Sequence, residues 1–142
     1  MSYSDDLRAE IARLDRRKSD LEAEQSQLKK RLAQLNEQLS RLIKQQNDFE
    51  TRQSNRRNTL QNLRWAYLEN HSAERYADMM ENMVNGGKNS NVADALSQSI
   101  ALFKNHIRAE EERMADLGSS LNNIEEKQAD CRYRLSRASD RE

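Results

Sequence analysis

The chain has no proline, three glycines and a single cysteine in 142 residues. Without proline nothing forces a helix to stop, and so little glycine leaves few places for tight turns. One cysteine, Cys131, cannot close an internal disulfide and suits a reducing compartment. Aromatics are scarce as well: one tryptophan, four tyrosines and two phenylalanines. Hydrophobic residues reach 35%, below the roughly 45–50% of an ordinary globular domain. That is too little apolar surface to enclose a substrate pocket, which argues against an enzyme. No apolar run approaches the roughly 20 residues of a membrane span. The charged first twenty residues do not read as a signal peptide.

Metal and cofactor chemistry find no pattern either. His71 and His106 lie far apart, both in settings that read as solvent-facing, with no cysteine pair or carboxylate cluster at ligand spacing. There is no glycine-rich phosphate loop and no nucleophile elbow. We therefore expect no cofactor. The basic run Arg13, Arg16, Arg17, Lys18, with Lys29, Lys30 and Arg31, is interleaved with Asp15, Asp20, Glu22 and Glu24. It holds no aromatic to stack a base, so it reads as a solvated helix flank rather than a nucleic-acid site.

What is abundant is helix-forming residues in heptad order. Leu7, Ile11, Leu14, Lys18, Leu21, Gln25, Leu28, Leu32, Leu35, Leu39, Leu42, Gln46, Phe49, Gln53, Arg56, Leu60 and Leu63 follow steps of four and three. This is a coiled-coil seam, with Ser4 or Asp5 to cap its start. A second seam runs Ala93, Leu96, Ile100, Phe103, Ile107, Glu110, Met114, Leu117, Leu121, Ile124, Gln128, Cys131, Leu135, Ala138. Between them the register fails and a new apolar set appears: Trp65, Leu68, Tyr76, Met79, Met80, Met83 and Val84. Asn70-His71-Ser72 reads as a stop and restart with Ser72 as N-cap. Asn85-Gly86-Gly87-Lys88-Asn89-Ser90 reads as a loop, with Asn91 capping the next helix.

The expected fold is all-α: an antiparallel two-helix coiled-coil hairpin with a short helix near its tip, forming one elongated domain over 1–142. The long helices would cover about 5–69 and 91–139, the short helix 70–84 and the loop 85–90. Charge supports the pairing, since residues 1–64 carry 14 basic and 10 acidic side chains and residues 65–142 the reverse. Seam polar residues Lys18, Gln25, Gln46, Gln53, Arg56, Glu110 and Gln128 would set the register. An Arg56–Glu110 layer centres the hairpin near residue 83, a Gln46–Glu110 layer near 78, and the sequence does not choose. Unequal arms would leave Leu7, Ile11, Leu14, Leu21, Leu28, Leu32, Leu35, Leu39 and Leu42 as an open seam for a helical partner, with Trp65, Tyr76, Met79, Met80 and Met83 shaping the tip.

A long charged helix leading to Trp65, then Asn70-His71-Ser72-Ala73-Glu74-Arg75-Tyr76, a short helix, a break and a second long helix resembles the small WXG-like helical accessory proteins encoded beside LXG polymorphic toxins in Gram-positive bacteria. The resemblance implies a non-enzymatic adaptor or chaperone that binds the helical N-terminal region of an LXG-type toxin and assists its type VII secretion. Trp65, Ala73 and Tyr76 would be its turn-packing residues. Trp65-Ala66-Tyr67 lacks the family's glycine. Tyr133 is followed four residues later by Arg137, where the export signal of related proteins has an acid. The place of action would be the cytoplasm, with export alongside the partner and no cleaved signal peptide. Two other classes compete: a rod-like export chaperone of a flagellar or type III system, and a homodimeric or higher coiled-coil scaffold.

Overall fold

The computed structural model describes residues 2–66 and 69–141. It is an all-α helical hairpin: α1 runs Tyr3–Ala66, α2 His71–Asn85 and α3 Gly87–Arg141. Among the described residues there is no strand, and no helix is long and apolar enough to cross a membrane. Tyr67 and Leu68, which the expected first helix includes, lie outside the described residues. The capping at the start of α1 differs from expectation. Ser2 supplies it, its Oγ accepting from the Asp5 N–H at 3.1 Å, while Ser4 is fully buried. Asp5 and Asp6 then sit in the first turn, where the helix dipole favours negative charge.

Contacts divide the chain into two units, one holding residues up to Gln34 and from Ile107, the other Leu35–His106. In the first unit the start of α1 runs antiparallel to the end of α3. Its core is Leu14, Leu21, Leu28, Leu117 and Ile124, with Met114, Leu121 and Cys131 packed against it. Burying each leucine contributes about 1.5–3 kcal/mol before entropy is counted. Polar groups bracket this seam. Gln128 donates to Asp15, Lys18 pairs with Glu125 at 3.5 Å, Arg113 with Glu24 at 2.8 Å and Arg31 with Glu110 at 3.6 Å.

These pairs fix the register and correct the expected alternatives. Glu110 faces Arg31, not Arg56 or Gln46, and the pairs centre on residues 68–72. The connection is therefore the short stretch before α2. Asn70, not Ser72, caps α2, its Oδ1 accepting from the Ser72 and Ala73 N–H groups at 3.0 and 3.1 Å. The short helix α2 lies next to the connection, near the tip as expected. It belongs to the returning arm.

In the second unit α2 and the start of α3 both return along α1. Ala77, Val84, Leu60 and Ile100 are buried. Gln53 donates to the Val84 carbonyl at 2.8 Å, Arg57 to Asn85 at 2.9 Å and Gln46 to Ser97 at 3.2 Å. The expected loop 85–90 reduces to one residue. Gly86 alone leaves the helix, with φ −75° and ψ 174°, and Ser90 N–H already bonds back to its carbonyl at 3.1 Å. Asn89 supplies what a loop would need. Its amide donates to the Met83 and Val84 carbonyls at 2.9 and 3.0 Å, satisfying the end of α2. Asn91, expected as an N-cap, lies inside α3.

The break resets the apolar phase. Continued without interruption, the stripe through Ala77 and Val84 would bring Asn91 and Gln98 onto α1 at heptad spacing. With Gly86 extended, Ala93, Leu96 and Ile100 take those places instead, half-buried or buried.

Candidate partner-docking face

The side chains expected to form an open seam are the hairpin's own core. Leu7, Leu14, Leu21 and Leu28 are buried, and Ile11, Leu32, Leu35, Leu39 and Leu42 half-buried. The expectation of unequal arms fails because α2 adds its length to the return. Every seam leucine from Leu7 to Leu28 is covered in place.

Exposed apolar surface collects instead on α2. Ala73, Ala77, Met80 and Val84, spaced by three and four residues, turn toward α1 and are half-buried or buried. The stripe is wider than that contact requires. Tyr76, Met79 and Met83 continue it along one flank and stand 51%, 55% and 63% exposed. The other flank carries the acids: Asp78 and Glu81 each lie 2.5 Å from Arg64. These carboxylates, Asp78 foremost through its hydrogen bond, hold the Arg64 pKa above its ordinary value. So α2 has one charged flank locked to α1 and one apolar flank facing solvent.

On the apolar flank, Asn55, Arg56, Thr59, Leu60, Leu63, Tyr76, Met80 and Val84 line a groove of about 330 Å³. Arg56, expected within the seam, is exposed here and donates to Gln53 at 3.3 Å. The buried positions are Gln53 and Leu60, one heptad apart, which leaves Arg56 beside the seam. The same α1 flank continues through Arg52 to Gln38, two heptads earlier. There it borders a second groove with Leu35, Leu102, Phe103 and His106. Leu102 is 69% exposed, and Val92, on the same stripe of α3, is also exposed.

The turn residues separate. Trp65, one residue before the end of α1, is 70% exposed and does not line the groove. Ala73 is half-buried at the start of α2. Sequence reasoning found Tyr76, Met79, Met80 and Met83 but missed Leu63 and Arg56 as groove-lining residues and Leu102 as exposed. Their signal lay in the flank position next to the seam. Among the described residues no three histidine, cysteine or acidic side chains stand together as metal ligands.

The fold and this face define a class: an all-α helical hairpin with a solvent-facing apolar flank beside its turn. No family model, curated protein or solved structure matches the chain.

Proposed function

We propose that the chain is a non-enzymatic adaptor that binds a helical segment of another protein along the apolar flank of α2. The observation that carries this reading is the exposure of Tyr76, Met79 and Met83 on a helix that already buries Ala77 and Val84 against α1. Three large side chains within three turns are a costly surface to leave in water, and tyrosine and methionine are frequent at adaptable interfaces. The resemblance supplies the partner: the helical N-terminal region of an exported toxin, met in the cytoplasm and directed to type VII secretion. Trp65 and Tyr76 stand on either side of the α1–α2 connection, where the resembled proteins carry their turn motif.

A tagged pull-down from the native host tests this, comparing the natural chain with a Tyr76→Asp, Met83→Asp variant. Stoichiometric recovery of one larger protein with a helical N-terminal region, lost in the variant, is the expected result. Recovery of the chain alone would replace the adaptor with a self-associating scaffold, a second reading favoured by Val92 and Leu102 exposed on α3.

A further inference from the structure

We infer that the partner segment is an amphipathic helix whose apolar stripe is flanked by acidic side chains, and that it docks in the groove between α1 and α2. The inference rests on the adaptor reading and adds the chemistry of the partner. Charge decides it. From Thr51 to Ala66, α1 carries Arg52, Arg56, Arg57 and Arg64 and no acid. Arg57 is engaged by Asn85 and Arg64 by Asp78 and Glu81, on the far flank. Arg56, which also donates to Gln53 at 3.3 Å, lines the α1 side of the groove, and Arg52 precedes it by one helical turn on the same flank.

The outer edge of α2 repeats the pattern. Arg75 precedes Met79 by one helical turn, and both are exposed. Glu74, Asp78 and Glu81 fall on the opposite flank by the same spacing. An apolar trough walled by Leu60, Leu63, Tyr76 and Met80 is thus edged with arginine on both sides. A helix is the shape that fits, because two antiparallel helices leave a groove whose apolar side chains recur every three to four residues. Glutamate or aspartate beside its apolar stripe would meet Arg52 and Arg56 on one side and Arg75 on the other. Such complementarity sets partner choice and orientation, while apolar burial supplies most of the affinity.

The test uses the full chain and two labelled synthetic helices of about 20 residues, long enough to hold helical structure. Both have a leucine stripe; one has glutamate flanks and the other lysine flanks. Fluorescence anisotropy at about 50 mM salt, where surface charge is weakly screened, measures their binding. The glutamate peptide is expected to bind about tenfold more tightly than its lysine twin. Arg52→Glu with Arg56→Glu should remove or reverse that preference. Tyr76→Asp with Met83→Asp should abolish binding of both, with helix content unchanged because both side chains are exposed.

Equal binding of the two peptides would overturn the inference, as would a preference indifferent to the arginine swap. So would a single-stranded oligonucleotide that binds as tightly as the glutamate peptide, or a face occupied by a second copy of the chain. A native partner still captured by the Arg52→Glu, Arg56→Glu variant would overturn the acidic-helix inference and leave the adaptor standing. The glutamate peptide bound as expected with no native partner recovered would sink the adaptor alone.

Discussion

Gly86 and Gly87 are neighbours in sequence, yet alanine at each should have opposite effects. A Cβ on Gly86 would stand 2.6 Å from the Asn82 carbonyl oxygen and 3.5 Å from that of Met83. The backbone angles themselves suit any residue, so the constraint is this contact with main-chain atoms. Relieving it means shifting the end of α2 or breaking the Asn89 cap, a cost of about 1–3 kcal/mol by analogy with overpacked interiors. At Gly87 an added Cβ meets nothing within 4 Å. There alanine lowers the entropy of the unfolded chain and should stabilise by about 0.5–1 kcal/mol. For a chain of this size, each kcal/mol moves Tm by about 3–6 °C. Gly86→Ala should therefore melt well below the natural protein and Gly87→Ala slightly above it. Thermal unfolding followed by far-UV circular dichroism measures both. The break could heal into continuous helix only by turning Asn91 and Gln98 onto α1, which also lowers stability. A Gly86→Ala protein as stable as the natural one would refute the argument, and so would equal losses at the two glycines.

Two further outcomes follow from the same geometry. Asn70→Ala removes the acceptor for two amide groups at the start of α2 and should cost about 1 kcal/mol in urea denaturation, whereas Ser72→Ala should stay within about 0.5 kcal/mol; the reverse order would restore Ser72 as the cap. Leu21→Ala, at a position only 3% exposed, should cost about 2–4 kcal/mol, while Leu102→Ala should change stability by no more than about 0.5 kcal/mol. Comparable losses at Leu21 and Leu102 would mean that the seam is not where the stability resides.

The two heptad stripes were legible because burial follows their spacing. Leu7, Leu14, Leu21 and Leu28 on one arm and Ile107, Leu117 and Ile124 on the other are buried as the period demands. The connections were not. Gly86-Gly87 in a polar run carries the usual punctuation of a loop, but Asn89 satisfies the exposed carbonyls from within α3, so one glycine suffices. The actual turn has neither glycine nor proline, and Asn70 does its work with a side-chain oxygen that also suits mid-loop positions. Centring the hairpin near residue 78 or 83 leaves the arms apparently unequal. Arg56 was misassigned for a related reason. A strict heptad count carried it into the seam, while Gln53 and Leu60 occupy that line and Arg56 falls beside it. The apolar flank of α2 was visible in composition, but its exposure depended on which side α1 covers, and spacing alone does not say.

The cross-arm contacts also rank by the length of chain they enclose. Arg64 meets Asp78 across 14 residues, Gln53 meets Val84 across 31, and Gln128 meets Asp15 across 113. Closing the largest of these loops directly costs about 2 kcal/mol more than closing the smallest, at roughly 0.6 kcal/mol per doubling. Each contact made near Asn70 shortens the loop left for the next. In chain entropy alone, the contact between Arg64 and Asp78 is thus the cheapest of these to close and that between Asp15 and Gln128 the dearest. The apolar flank of α2 thus lies beside the cross-arm contacts that enclose the least chain, where closing the hairpin costs the least entropy.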